Sequence, residues 1–551
     1  LALDIKVFKS VNTATIKNQM TQDTIKKLEI ELWEAADELR ANSKLTASEY
    51  KDPLLGLILL RFAENKYEEA KENLAKTLPI NPRTKQRREA TKEDFAAAGS
   101  MQLPEKAQYS YLASLPESED LAEAVNTAMK LIEAEYEELA GILPKNYQDL
   151  TPEDDSDNNL LANLIRIFNS DSVRNAKGDV FGRVYEYFLM KLSMMGAGAQ
   201  EGGEFFTPPS LVQLIVNFIQ PNHGIIHDPA CGSGGMFVQT AHFIKDTENK
   251  SVNQAITVYG TEYKSNTTRL AKMNLAIHGI EGKIANNNSF YSDPHELFGK
   301  CDFVMANPPF NVDKVDAKNK FLAEDQRLPF GAPLTGKGTI GNGNYLWIQY
   351  FMSYLNPTGR AGFVMASSAT DAGNAEKRIR EELVKSGNVD CIVSISNNFF
   401  YTRSLPCHLW FFDKGKSKSN RDKILMIDAR NVYRKVSTTI NDFSEEQMEG
   451  LTAIMAMHRG EQPKVANDNA WFNEHFPDGK YQDIEGLCKV VTLEEVAEQD
   501  YSLTPGRYVG VNIDIDMDFD YKSRMEILHN ELADLNAEAN DLMNQIQSFK
   551  L

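Results

Sequence analysis

The sequence predicts an α/β protein: a doubly wound, mostly parallel sheet, with a helical region ahead of it (1–165) and a region ending in a long helical arm behind it (441–551). Three observations carry this. Between residues 166 and 440, short β-rich runs (225–227, 257–260, 303–305, 361–365, 391–395) alternate with helical stretches, which implies βαβ units and a sheet covered by helices. Ahead of them, apolar residues recur at helical spacing in Ile25, Leu28, Leu32, Ala35 and Leu39. Behind them, Met525, Leu528, Leu532, Leu535, Ala539, Leu542, Ile546 and Phe549 alternate steps of three and four, an a/d seam.

Composition bounds the function. The chain has 551 residues, 42% hydrophobic and 25% charged, ordinary for a globular protein. Its longest apolar runs are short; residues 54–60 are stopped by Arg61, far from the roughly 20 residues that cross a bilayer. Residues 1–9 have no apolar core of the kind that directs secretion. Cys231, Cys301, Cys391, Cys407 and Cys488 stand singly, without a C-x-x-C pair. That argues against a zinc cluster or disulfide scaffold and for a soluble, cytoplasmic protein. With 59 basic and 78 acidic residues the net charge is −19. A chain that held DNA alone through its phosphates would carry a basic surface, so either no nucleic acid is bound or a partner supplies most of the grip.

In chain order, Thr21 to Thr24 offers a helix start with an acid in the first turn. Residues 54–62 read as a buried helix. Arg83, Lys85, Arg87 and Arg88 form a basic cluster, a solvated face or a DNA contact. The acidic, polar stretch 151–157 marks a linker or helix start. Residues 513–520 alternate apolar and acidic, as an extended arm would. The terminal seam fits a helix packed on its own domain or a partner-binding coiled-coil arm. Polar residues on its other faces favour the partner.

The chemistry begins at His227-Asp228-Pro229-Ala230-Cys231-Gly232-Ser233-Gly234-Gly235, between a strand and a helix. Glycines at such a turn let a ligand approach the backbone, and the helix start offers free N–H groups. Gly232 and Gly234 fit a dinucleotide fingerprint, but Phe237 takes the third glycine's place, which disfavours a nicotinamide cofactor. Asp228 precedes the turn, and Glu262 ends the next strand, where an acid accepts ribose hydroxyls. An acid before the turn suits an amino-bearing ligand better than a pyrophosphate. S-adenosylmethionine has the ammonium, the sulfonium and the ribose. Further on, a strand runs into Asn307-Pro308-Pro309-Phe310. The prolines stiffen the turn. The Asn307 side-chain oxygen and a proline carbonyl can accept both N–H bonds of one planar amine, freeing its lone pair to attack a methyl group. Phe310 gives a base a face to stack on.

The order of the glycine turn, Glu262 and Asn307–Phe310 resembles an S-adenosylmethionine-dependent amino-methyltransferase. Gly203 and the segment Glu204-Phe205-Phe206-Thr207-Pro208-Pro209 are similar to the cofactor-contacting segment of adenine-specific DNA methyltransferases. With the helical N-terminal region, Tyr185 to Phe188, Thr504 to Tyr508 and the C-terminal helix, the likeness spans nearly the whole chain. The family it resembles is the modification (methylase) subunit of type I restriction–modification enzymes. The resemblance implies a methyltransferase fold and methylation of adenine at its exocyclic N6 amine in duplex DNA, with the base flipped out. Carried over by motif, Glu204, Phe205, Phe206, Thr207, Pro208, Pro209, Asp228, Gly232, Ser233, Gly234, Gly235 and Glu262 would bind the cofactor. Asn288 would do so where the family often has an acid or amide. Asn307, Pro308, Pro309 and Phe310 would hold the base. The resemblance also implies a DNA-specificity subunit, a restriction subunit and two methylase copies per complex, and a borrowed DNA grip agrees with the acidic charge.

Other readings are weaker. Pro406-Cys407 resembles the nucleophilic pair of cytosine-C5 methylases but lies inside an apolar strand. Residues 331–338 nearly spell a phosphate-binding loop, but Gly338 replaces the magnesium-binding hydroxyl. The histidines form no ligand pair, so no metal site is expected. A free-standing DNA methylase, a protein-glutamine methylase and a non-catalytic scaffold remain as rivals.

Overall fold

The computed structural model describes residues 22–41, 43, 45–80, 86–150, 159–176, 180–195, 207–248, 252–400, 405–438, 440–510 and scattered positions between 525 and 543. Arg83, Lys85, the stretches 151–157 and 513–520, and Leu528, Ile546 and Phe549 lie outside the described residues. Leu1–Val509 forms one compact unit and Gly510–Leu551 a second.

The first unit opens with helices, chiefly α1 (Gln22–Ala41), α2 (Ala47–Thr77), α3 (Leu121–Glu135), α4 (Leu160–Phe168) and α5 (Val180–Met195). Sequence fixes their starts. Thr46 caps α2 while the Glu49 carboxylate accepts the Thr46 N–H at 2.9 Å, a reciprocal capping box. Asp120 caps α3 and Asn159 caps α4. In α2, Leu54, Leu55, Leu57, Ile58, Leu59 and Leu60 are all fully buried, the signature of a helix enclosed on every side. This core continues onto Leu270, Met273 and Ile277 of a helix in the following region. Arg87 donates to the Leu78 carbonyl, and Arg88 to the Asp94 carboxylate at 2.7 Å.

The sheet has nine strands: β1 (Gly224–Asp228), β2 (Ile256–Glu262), β3 (Gly282–Asn286), β4 (Cys301–Ala306), β5 (Leu355–Ala366), β6 (Val389–Ile395), β7 (Cys407–Asp413), β8 (Lys423–Ala429) and β11 (Cys488–Thr492); β9 (Arg434–Lys435) and β10 (Asn441–Asp442) form a separate hairpin. The order is β11-β8-β6-β7-β5-β4-β1-β2-β3. β1, β2, β3, β4 and β5 are mutually parallel; β7 runs antiparallel between β5 and β6, and β11 antiparallel to β8. The expected doubly wound, mostly parallel sheet is present. Residues 441–509, which the sequence places with the C-terminal region, supply a packed helix and the edge strand of this same sheet.

Helices cover both faces. α6 (Pro209–Ile219), α7 (Gly235–Glu248) and α11 (Glu445–Arg459) line one; α9 (Asn344–Tyr354) and α10 (Asn374–Lys385) line the other; α8 (Ser265–Ile277) follows β2. Strand alternation sorts β7 between them: Cys407, Leu409 and Phe411 face the first layer, Trp410 and Phe412 the second. The strand order reverses between β1 and β4, so the crevice at their carboxyl ends is the topological switch point, where such sheets bind ligands.

In the second unit the described residues Met525, Leu532, Leu535, Ala539 and Leu542 are helical. Leu532, Leu535 and Leu542 are 65%, 62% and 51% exposed. Among the described residues, no helix is long and apolar enough to cross a membrane.

Candidate active site

β1 delivers Asp228 to the crevice, and the chain turns through Gly232 and Gly234 into α7. Both glycines need the left-handed region, at φ +54° and +82°, where side chains are strained. A Cβ at Gly232 would meet nothing within 4 Å, so the turn presents bare backbone to open space. At Gly234 a Cβ would stand 3.0 Å from Leu275 Cδ1. The turn is bound to β2: Cys231 N–H donates to the Thr261 carbonyl at 3.0 Å, and Gly232 N–H to Glu262 Oε2 at 3.1 Å. Glu262 Oε1 accepts the Lys264 N–H at 2.8 Å. The carboxylate is thus fixed by main-chain donors and half-buried. Asn274 holds the Ser233 carbonyl at 2.9 Å, and Gly235 begins α7.

Asp228 is 1% exposed and accepts the Ala230 N–H at 2.9 Å. Burial pushes its carboxyl well above the usual range, the Ala230 N–H pulls it down, and the charge of Glu262 raises it again. Such an acid gains from a cationic neighbour. His227, just before it, is buried, with Nδ1 3.0 Å from the Tyr259 carbonyl, and burial drives its pKa down to about 3. Asn288, half-buried after β3, has its Oδ1 engaged by the Phe290 N–H at 3.0 Å.

β4 is the parallel neighbour of β1, with Ile226 opposite Phe303 and His227 opposite Val304. Asn307–Phe310 therefore leaves the sheet from the strand next to the one that carries the glycine turn, neighbouring strands lying about 4.8 Å apart. Asn307 Nδ2 donates to Thr207 Oγ1 at 2.9 Å, whereas its Oδ1 is buried without a hydrogen-bond partner. A buried acceptor left open costs free energy, so this orphan oxygen points to a donor that arrives from outside. Thr207, expected on the cofactor, orients the asparagine amide. Pro208 is buried at the start of α6, and Pro209 is its first residue, a position that loses nothing by lacking an N–H. Glu204, Phe205 and Phe206 lie outside the described residues. Phe310 is half-buried and meets Phe400 edge-on, with centroids 6.4 Å apart at 88°. Asn311, next in the chain, is clamped by Asn344 at the head of α9 through bonds of 2.9 and 2.8 Å.

Two residues escaped the sequence reading. Tyr263, directly after Glu262, is 70% exposed, a flat face beside the acid; an aromatic following an acid at a strand end was the available signal. Phe400 follows β6 in the run Asn397-Asn398-Phe399-Phe400, and only the fold carries it to Phe310. Cys407 lies fully buried within β7, and burial raises its thiol far above the reactive range. Residues 331–338 do not run directly into a helix, since α9 begins only at Asn344, unlike a phosphate-binding loop, whose lysine opens one.

Two family models match the chain, one described as N-6 DNA Methylase over residues 176–516 and one as the HsdM N-terminal domain over 28–168. The type I restriction enzyme MjaIX methylase subunit of Methanocaldococcus jannaschii is 34% identical over 531 residues, covering 95% of this chain and 90% of that one. The HindI methylase subunit of Haemophilus influenzae is 32% identical, covering 78% and 91%. In fold, the chain is similar to the crystal structure of the type I restriction-modification methyltransferase subunit from Streptococcus thermophilus, with a TM-score of 0.65 at 20% identity over 88% of this chain and 99% of that one.

Proposed function

The chain belongs to the methylase subunits of type I restriction enzymes and carries their N-6 DNA methylase domain; from that premise we propose how its residues methylate adenine. The reaction is transfer of a methyl group from S-adenosylmethionine to the exocyclic N6 amine of adenine in a specific duplex site. The observation that carries the reading is the buried Asn307 Oδ1, unpartnered beside the glycine turn while Thr207 occupies the other end of the same amide.

The cradle suits S-adenosylmethionine. Asp228 offers a buried carboxylate for the ammonium, Glu262 a fixed acid for the ribose, and Tyr263 and Asn288 an edge for the adenine, while the bare backbone at Gly232 leaves room. When bound, this cofactor supplies an electrophilic methyl on a sulfonium centre. The chain does the rest by positioning. The target base is flipped out of the stack, which costs a few kcal/mol, and Phe310 and Phe400 offset part of that by aromatic contact. Asn307 Oδ1 and the Pro308 carbonyl accept the two N6–H bonds, turning the nitrogen lone pair toward the donor. The N–C bond would form as the S–C bond to the donor methyl breaks, its electron pair leaving with sulfur as the neutral thioether S-adenosylhomocysteine, and the amine nitrogen, made cationic, would release one proton to water. The reaction needs no covalent enzyme intermediate.

We further propose residues 166–509 as the catalytic region and the exposed stripe Leu532, Leu535 and Leu542 as the seat of a partner helix. The partners are double-stranded DNA, a specificity subunit that reads it and a restriction subunit, with two methylase copies per complex. The net charge of −19 supports a DNA grip supplied by another chain. The test is transfer of labelled methyl to DNA, with and without a co-expressed specificity protein. Transfer only in the pair is expected; strong transfer by this chain alone would favour a free-standing enzyme, and none in either the reading of a scaffold.

A further inference from the structure

Between the Asn307–Phe310 tetrapeptide and α9 runs a loop that buries a full guanidinium. Arg327 is 2% exposed. Its Nε and Nη2 grip the Asp325 carboxylate at 2.9 and 2.7 Å, Nη2 also donates to the Ser289 carbonyl at 2.8 Å, and Nη1 donates to the Tyr354 hydroxyl at 2.6 Å and the Ser292 carbonyl at 3.3 Å. The guanidinium carbon lies over the Tyr350 ring, 4.1 Å from its centroid, and Ser353 Oγ donates to the Arg327 carbonyl at 2.9 Å. A buried ion pair is seldom needed for stability alone, since apolar packing of equal volume often does as well. What a fixed fork of donors adds is geometry.

The geometry it fixes is the wall of the cofactor cradle. Ser289, whose carbonyl Arg327 holds, donates its hydroxyl to the Pro229 carbonyl at 2.6 Å; Pro229 follows Asp228, and Asn288 precedes Ser289. A second path runs through Tyr354, whose ring meets His227 edge-on at 4.5 Å, next to the same aspartate. Both paths start on the loop that the tetrapeptide begins. We propose that Arg327, with Asp325, is a positioning residue that sets the loop carrying Asn288 and Ser289 against the Asp228 turn, and thereby the affinity for the cofactor. This rests on the methyltransferase reading above.

The test measures S-adenosylmethionine binding by calorimetry on the full-length chain, and steady-state methylation by the assembled enzyme. Arg327→Gln should raise the cofactor dissociation constant and KM about tenfold or more, with kcat at saturating cofactor changed far less; Arg327→Lys, which keeps the charge but not the fork, should recover part of the loss. Ser289→Ala should weaken binding in the same sense, and the double variant Ser289→Ala with Arg327→Gln should be little worse than Arg327→Gln alone, because both cut one path. A folded Arg327→Gln enzyme with wild-type cofactor affinity, or losses that multiply in the double variant, would overturn the proposal. Should Arg327→Gln not fold, Ser289→Ala with Arg327→Lys decides: unchanged affinity in both overturns it. A wild-type chain that binds no cofactor sinks the methyltransferase reading instead.

Discussion

After β1 and β2 the chain shapes its crevice with main-chain groups: two glycines at positive φ, and a carboxylate, Glu262, pinned by the N–H groups of Gly232 and Lys264. After β4 and β6 it uses side chains, with Thr207 on Asn307 and Phe400 on Phe310. The first half is rigid and internally bonded, and what it leaves open is space. The second is assembled from distant segments and leaves open one buried acceptor. A half built of backbone should fail by losing shape, and a half built of side chains by losing one interaction.

The sharpest break should come from Asn307→Ala, which removes the orphan acceptor. Methylation should fall by about 100-fold or more, the scale of losing one preorganised transition-state contact, while cofactor binding survives. Full activity in a methyl-transfer assay would take Asn307 out of the reaction. Gly234→Val tests the other half. It forces a β-branched residue into φ +82° against Leu275, a strain of about 1–3 kcal/mol. Cofactor affinity should fall by about tenfold or more, together with the melting temperature. Unchanged binding would show that the turn's conformation is not what admits the cofactor.

Phe400→Ala sharpens the contrast. Removing an aromatic wall from a stacked base costs about 1–3 kcal/mol, so kcat/KM for DNA should drop about tenfold with cofactor affinity retained. Equal losses toward cofactor and DNA would place Phe400 in general packing.

The smallest effect concerns pH. The unfolded His227 ring titrates near 6.5 and the folded one at about 3. A depressed folded pKa means that the stabilisation from keeping the ring neutral is complete above about pH 6.5 and is lost as pH falls toward 3. His227→Gln should therefore flatten the stability–pH curve between those limits. Denaturant melts at pH 7 and pH 4.5 check this, and an equal acid sensitivity in both proteins would exclude His227 as a source.

Much of the first half was legible because its signals are local. Strand, acid, glycine turn and helix follow one another within one segment, and positive φ is written as glycine. Glu262 was legible as the acid ending the next strand. The second half was legible only in its tetrapeptide. Thr207 on Asn307, Phe400 on Phe310 and Arg327 on Ser289 join residues far apart in sequence, which periodicity cannot pair.

From residue order alone came the strands β1, β2, β4, β5, β6 and β7 and the residue chemistry at the ends of β1, β2 and β4, though not β3, β8 or β11, because backbone preference and strand–helix periodicity act over a few residues. The tertiary structure alone decided that β7 inserts antiparallel beside β5, that residues 488–492 complete the sheet, that the helical region shares its core with α8, and which end of the Asn307 amide stays open. Those outcomes depend on burial and pairing across the whole first unit, where each group's partner is settled by what the fold brings beside it.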